Sequence, residues 1–430
     1  MAKFLSFIHA AQDIDDFRAD FPEHEFVHVS ENAIPGTKAV VSGSTFAGTV
    51  EALLREHSMR PFAGIVFGSE PELYVKAADR VARVLGLRRF QSDPELVRDK
   101  YAMRLALSEK VECPRTRLVG EVQVAASFSD LQFPCVLKPR HGFGSICVFK
   151  ASNRGELAAA QKGMQAAMAL VARRHPLAIP TNDMLLEDFV GGTEHTVELF
   201  VADGTPLLEF VSDKLTMKPP YFVESGDVMP SRLSAGEVER VKQAARLAAL
   251  AVGFEWGWAH VEIKLEHGVA HVIEIAGRAG GGYTRAMLQR AYQLDPRRVL
   301  IEAHLGSLPV QPARTVNTVI GRNVVCEGIE LVATIQGLAT AGRTEGFQMV
   351  RNRFSGWPRI FLGPPLSFDS TILSFFAFDP MPDKAAEIFQ RLDAQIRVRR
   401  LRFPMKNPAP LAMLFGLITK FRRRQNGGGA

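Results

Sequence analysis

Residues 259–275 read Ala-His-Val-Glu-Ile-Lys-Leu-Glu-His-Gly-Val-Ala-His-Val-Ile-Glu-Ile. Apolar and polar residues alternate on both sides of His267-Gly268-Val269, which is the pattern of two strands joined by a tight turn. If Glu266 and Ala270 close a three-residue loop, position 264 pairs with 272 and 262 with 274. Glu262 and Glu274 then lie directly opposite on one sheet face, with Cβ atoms ~4.5–5.5 Å apart. Two like charges so placed repel, so a cation must compensate them. Arg278 or Lys264 would serve, and a hard divalent cation such as Mg²⁺ (or Mn²⁺) would serve better, because it prefers carboxylate oxygen. The alternation alone fits a solvated sheet face equally well.

A second stretch points the same way. Phe133-Pro-Cys-Val-Leu-Lys138-Pro-Arg-His-Gly142-Phe-Gly144-Ser145 sets a lysine at a strand end and follows it with a flexible turn. Glycines let backbone N–H groups approach phosphate oxygens, and the lysine adds charge. A P-loop is excluded, because GxxxxGK[ST] is absent. Taken alone, the stretch is also what an ordinary hairpin turn looks like.

Around these stretches the chain divides into units. In residues 1–98 strands at Ala39–Val41 and Phe62–Phe67 alternate with helical patterns. One helix begins at a capping box, Ser69 with Glu72, and stops at Gly86, which predicts a small parallel sheet. Residues 99–311 hold a helix over Asp99–Ser108, strands at Cys135–Lys138 and Ile146–Lys150, a helix over 154–173 and a strand at Met184–Val190. Two further strands flank the Asp203-Gly204 turn. Lys214–Pro230, with Pro219, Pro220, Gly226 and Pro230, reads as a long loop. Ser234 and Glu237 cap a helix, and Asp295-Pro296 starts another that Gly306 ends. Residues 312–405 carry strand-like runs at Val316–Val325 and Ile329–Ile335 and a helix near 383–395. Residues 406–430 form a tail.

Composition narrows the function. The 430 residues carry a net charge of +6, but residues 391–430 hold ten Lys/Arg against one acidic residue. The remaining 390 residues hold 42 basic and 45 acidic residues. The body is therefore slightly acidic, which argues against nucleic acid as a partner. The four cysteines are scattered without metal-ligand spacing, which excludes a disulfide scaffold and a structural zinc site. No apolar run reaches the ~18 residues of a membrane span. The acidic cluster Asp13, Asp15 and Asp16 follows the first apolar stretch, so the N-terminus reads as a strand rather than a signal peptide. The expected compartment is cytoplasmic.

The motifs occur in a recognisable order. Asp99-Lys100 and Met103-Arg104 precede Val136-Leu-Lys138-Pro and its Gly/Ser loop. Leu186-Glu-Asp-Phe-Val190-Gly-Gly-Thr-Glu194 follows. His260-Val-Glu262-Ile-Lys264 and Ile273-Glu274-Ile-Ala-Gly-Arg278-Ala-Gly-Gly281 come last. Over roughly residues 1–310 this resembles the ATP-grasp superfamily of carboxylate–amine ligases. Ser212-Asp-Lys214 with Pro220-Tyr-Phe-Val-Glu-Ser-Gly226 is similar to the branch of L-amino-acid ligases, which make dipeptides. The resemblance implies a three-domain fold of α/β and α+β units. These are an N-terminal parallel α/β domain (1–98), a central two-part ATP-grasp domain (99–311) and a C-terminal mixed α/β lid or dimerisation domain (312–405).

It also implies roles for matching residues. Lys100 and Lys138 would contact ATP phosphates, under the loop of Gly142, Gly144 and Ser145. Glu187 would accept from the adenine amino group, backbone at Asp188, Phe189 and Val190 would hold the ring edge, and Glu194 would bind the ribose. Glu262 and Glu274 would hold Mg²⁺, and Arg278 would stabilise the transferring phosphoryl group. His260, Lys264 and Lys214 would touch phosphate or substrate. The substrates would be a small carboxylate and a small amine, joined through an acyl phosphate. Many relatives carry Asn where this chain has Ala276, and Gly where it has Cys147. Another ATP-grasp reaction, of purine biosynthesis or carboxylation, stays open, as does a non-catalytic nucleotide-binding regulator. Relatives are often dimers, so a homodimer is one assembly to test. In the tail, Leu411–Ile418 followed by Lys420 and Arg422–Arg424 offers a weak contact for an anionic membrane surface or a partner, set against a frayed terminus.

Overall fold

The computed structural model describes residues 1–403 except 31–33, 38, 41–45, 69–73, 121–127, 143, 146, 175–180, 217–220, 282, 313 and 363–370. The capping box at Ser69 and Glu72, Pro219, Pro220 and the basic tail lie outside the described residues. Among the described residues no helix is long and apolar enough to cross a membrane.

Strands β1 (Lys3–Phe7), β2 (Glu25–Ser30), β3 (Ala39–Val40) and β4 (Ile65–Phe67) form a parallel sheet in the order β3-β2-β1-β4. Helix α1 (Ala11–Asp20) connects β1 to β2, α2 (Phe46–Met59) connects β3 to β4, and α3 (Val75–Leu85) follows β4. Parallel strands need such crossovers. A second, antiparallel sheet follows α4 (Lys100–Leu107). It contains β5 (Thr116–Val119), β6 (Cys135–Pro139), β7 (Phe149–Ala151) and β8 (Met184–Asp188), ordered β5-β8-β6-β7, with α5 at Arg154–Arg174.

The third sheet is the centre of the molecule. It is built from β9 (Thr193–Ala202), β10 (Thr205–Thr216), β11 (Glu224–Met229), β12 (Trp256–Glu266), β13 (Val269–Ala276), β14 (Thr318–Val325), β16 (Phe347–Asn352) and β18 (Thr371–Asp379). Its eight strands run β13-β12-β9-β10-β11-β14-β18-β16, each antiparallel to its neighbour. Strands from before and after residue 311 thus share one sheet. Beside it, β15 (Ile329–Gln336), β17 (Arg359–Leu362) and β19 (Arg397–Phe403) make a three-stranded sheet. The helices of this half are α6 (Ala235–Ala251), α7 (Thr284–Tyr292), α8 (Pro296–His304), α9 (Leu338–Ala341) and α10 (Pro382–Gln395).

Two expectations need correction. Lys214–Pro230 is not one long loop. Lys214 lies near the end of β10, Glu224–Met229 is β11, and the two strands pair with Lys214 opposite Asp227. Pro230, one of the residues that suggested a loop, stands just past the end of β11, where the ladder needs no N–H from it. The hairpin loop after β12 has two residues rather than three: Glu266 pairs with Val269, and Lys264 with His271 instead of position 272. His267 and Gly268 both have positive φ, 50° and 79°, as the favoured two-residue hairpin turn requires. A register shift between Glu262 and Ile263 then restores the predicted pairing of Glu262 with Glu274. Arg104 is bonded at this irregularity. Its guanidinium donates to the carbonyls of Val272 (2.7 Å) and Ile273 (2.8 Å), the outward-facing groups at the irregularity. The Val272 N–H is taken by Glu112 O at 2.8 Å.

Period-two alternation gives the central sheet two unlike faces. Val197, Leu199, Ala259, Val261 and Ile263 are fully buried on one face, against α6, whose Val241, Ala245 and Ala248 are also fully buried. Each such Val, Leu or Ile side chain contributes roughly 1.5–3 kcal/mol on burial. The other face carries Glu194, Thr196, Glu198, His260, Glu262, Lys264, Lys214 and Asp227, cross-strand partners in register. The fold spends one face of the sheet on the core and leaves the other for chemistry.

Candidate active site

A cavity of about 600 Å³ lies over that polar face and reaches the second sheet. Every residue given a role in ATP, metal or substrate binding lines it, whereas Asp99, Arg104 and Cys147 do not.

Its back wall starts at Asp99. This side chain caps α4 by accepting from Tyr101 N (2.9 Å) and Ala102 N (3.3 Å), and it also pairs with Arg140 at the end of β6. Helix α4 is thereby fastened to the Gly-rich turn, and Lys100 donates to Gly142 O at 2.6 Å. The same ammonium lies 3.0 Å from Glu274. Lys100 and Arg104 are only 7% and 3% exposed, so α4 does not offer a solvated basic face here. In the turn, Gly142, Gly144, Ser145 and Cys147 all have positive φ, a backbone conformation of the kind found in anion-binding nests.

Glu187 on β8 is buried among Lys138 (2.7 Å), Arg104 (3.0 Å) and the Thr116 hydroxyl (3.0 Å). Burial alone would raise its carboxyl, but the two cations hold it down at about 2. Burial in turn lowers the Lys138 ammonium. Asp188 points outward to Arg115 at 2.7 Å. Phe189 carries Lys150 over its ring at 3.7 Å and Lys264 at 5.2 Å, and stacks with Phe222 at 6.4 Å. Lys264 therefore stands by the aromatic wall rather than beside the paired carboxylates.

Lys214 takes the place expected of Lys264. Its Nζ lies 2.7 Å from Glu262 and 3.3 Å from Glu194. Burial works against the ammonium, yet these two carboxylates raise it well above its ordinary value. Glu262 sits below the usual carboxylate range: burial opposes ionisation, but Lys214 and His260 outweigh it. Burial raises the Glu194 carboxyl. His260 lies with Nε2 3.7 Å from Glu262 and donates Nδ1–H to Glu198. Desolvation would lower this imidazole, but Glu198 and Glu262 raise it to about 10. Each of the facing carboxylates is thus balanced by a lysine, Glu262 by Lys214 and Glu274 by Lys100. The donor set fits a Mg²⁺ ion that takes its other ligands from phosphate oxygens, since hard cations combine one or two carboxylates with substrate. Among the described residues no group of three His, Cys, Asp or Glu could hold a metal unaided. Ala276, opposite His260, adds no ligand.

Farther along the sheet the cavity meets groups that the sequence reading missed. Tyr283 donates to Asp227 (2.8 Å), Asn323 donates to Glu224 (3.0 Å), and Ser374 donates to Asn323 (2.6 Å). Burial, reinforced by Glu224, raises Asp227 well above the carboxylate range. The pattern Glu194-x-Thr196-x-Glu198 would have revealed Glu198, because residues two apart in a strand share a face. Of the two tryptophans, Trp258 lines the cavity and donates to Pro296 O at 2.8 Å. Trp256 is buried in the core under Arg88.

Residues 131–286 match the model of the ATP-grasp domain. Carnosine synthase 1 of Gallus gallus is 30% identical over 219 residues, covering 49% of this chain and 24% of that protein. The chain therefore matches about a quarter of that relative's length. Among solved structures, L-amino acid ligase from Bacillus licheniformis superposes with a TM-score of 0.74 at 19% identity, covering 92% of this chain and 98% of the other. N5-carboxyaminoimidazole ribonucleotide synthetase from Thermotoga maritima gives 0.64 at 17% identity, over 93% and 99%. The likeness is one of fold, and it extends across the C-terminal strands as well as the matched domain.

Proposed function

Residues 131–286 belong to the ATP-grasp family, and from that premise we propose that the chain is an ATP-dependent ligase joining a small carboxylate to an amine. The observation that carries this reading is the facing pair Glu262 and Glu274, each neutralised by a lysine. Such a pair is built to exchange a lysine for a metal bound to phosphate.

ATP would lie between the Gly-rich turn and β12–β13. Its base would rest against Phe189 and Val190 near Glu187, its ribose at Glu194 and its phosphates at Lys100 and Lys138. Bound Mg²⁺ (or Mn²⁺) on Glu262 and Glu274 would offset charge on the transferring phosphoryl group. Arg278, from the segment after β13, would do the same from the protein side. A carboxylate alone is a poor acyl donor, because its leaving group would be oxide. In the proposed sequence, a carboxylate oxygen attacks the γ-phosphorus, the bond to ADP breaks, and an acyl phosphate forms. The amine then attacks the acyl carbon, phosphate departs and an amide remains. Closure of the site over the substrates would keep water from the acyl phosphate.

The carboxylate substrate would carry a cationic group. Glu224 lines the cavity and accepts from Asn323, while buried Asp227, opposite Lys214 in the ladder, accepts from Tyr283. An ammonium group would relieve the charge that burial disfavours there. This supports an amino acid as acyl donor, in keeping with the carnosine synthase and L-amino acid ligase likenesses. The test is isotope transfer: a carboxylate labelled with ¹⁸O should pass one ¹⁸O atom to inorganic phosphate. Product amide formed without labelled phosphate would refute the acyl phosphate.

A further inference from the structure

Glu198 is a charged side chain that the proposed reaction does not use. It sits mid-strand on β9 with no exposed surface. An ion buried this deeply is costly unless its partners are well placed, and both of its oxygens are committed. One accepts Nδ1–H from His260, its cross-strand partner, and the other accepts the Gly280 N–H at 2.8 Å. A Cβ on residue 280 would lie 2.5 Å from Glu198 Oε1, 2.7 Å from Thr284 Oγ1 and 2.9 Å from His260 Nδ1. Only glycine lets the backbone come this close. His260 in turn faces Glu262, and Gly280 belongs to the turn that carries Arg278.

We propose that Glu198 is a positioning residue which sets His260 beside Glu262 and holds the 277–281 turn, so that the metal-side carboxylate and Arg278 keep one fixed relation. The proposal rests on the ligase reading for its kinetic consequence, and on geometry alone for its structural one.

Glu198→Gln keeps the shape but must turn its NH₂ toward one of two donors, so one contact is lost. Hydrogen exchange followed by mass spectrometry reads the effect without turnover. In the wild type, Mg-ADP should protect residues 277–284. In Glu198→Gln that protection should fall about tenfold, with exchange in α6 unchanged. Where the wild type turns over ATP, kcat should drop about 10–100-fold with KM for ATP unaltered. Combined with His260→Gln the losses should be less than additive. Unchanged protection of 277–284 in the variant would overturn the proposal whether or not the ligase reading stands. So would unchanged kcat in an active enzyme. A wild type that binds Mg-ADP but turns over nothing would instead count against the ligase reading, leaving the exchange comparison to decide on Glu198.

Discussion

The two ends of the polar sheet face hold acids in opposite conditions. At the β12–β13 end, Glu262 and Glu274 face each other, and each has a lysine within 3.0 Å. At the β11–β14 end, Glu224 and Asp227 have neutral donors as close partners, and burial pushes Asp227 toward its protonated form. Equal chemistry in unequal surroundings gives unequal tasks. On the proposed reading the first pair trades a lysine for a metal, while the second takes the cationic group of the substrate.

The sharpest way to break this contrast is at the first end. Glu274→Ala or Arg278→Ala should abolish ADP release, by more than about 10³-fold, with the circular dichroism spectrum intact. Near-normal turnover in both would remove the metal-site assignment. Lys214→Met should come next. It leaves Glu194 and Glu262 buried without their lysine and should cost ~3 kcal/mol in urea unfolding. Millimolar Mg²⁺ should restore part of that stability, because the ion binds only the folded site. The other end should respond differently. Asp227→Asn should raise KM for the carboxylate substrate about tenfold and leave KM for ATP alone. It should also change the pH dependence. A carboxyl raised by burial supports the fold below its unfolded value of about 4, and that support is lost as pH climbs through the folded value. The wild type should therefore lose stability over that rise, and Asp227→Asn should not. The smallest effect belongs to the turn. Gly268→Ala, at φ 79°, should cost about 1 kcal/mol and leave turnover unchanged, since the turn sets register but touches no reactant.

The same contrast governs what could be read in advance. The hairpin end was legible because strict alternation fixes faces, and faces fix which side chains meet. The facing of Glu262 and Glu274 was read correctly, yet through the wrong loop length. A two-residue turn and a compensating irregularity, at which Arg104 is bonded, lead to the same pairing. Arg104 belongs to a helix more than 160 residues away in the chain, and local spacing cannot contain such a contact. The acidic end was illegible for a related reason. Prolines and Gly226 masked β11, so Asp227 was never placed on a strand, and the chain of donors that serves it and Glu224, through Tyr283, Asn323 and Ser374, comes from three distant segments. Lys214 and Lys264 flank the same residue, Glu194, from the two neighbouring strands, and only the direction of each side chain sends Lys214 to Glu262 and Lys264 to Phe189. The order of the motifs was readable, whereas the pairing of the charges needed the assembled sheet.

The most direct test of the central claim is ATP turnover with paired substrates. The protein is incubated with Mg²⁺, ATP and pairs of amino acids, and ADP, phosphate and new amides are followed by mass spectrometry. The account predicts ADP, phosphate and one amide in equal amounts, dependent on both substrates and lost in Glu274→Ala. ADP release that requires bicarbonate instead of an amine, or tight ATP binding with no turnover on any pair, would contradict it.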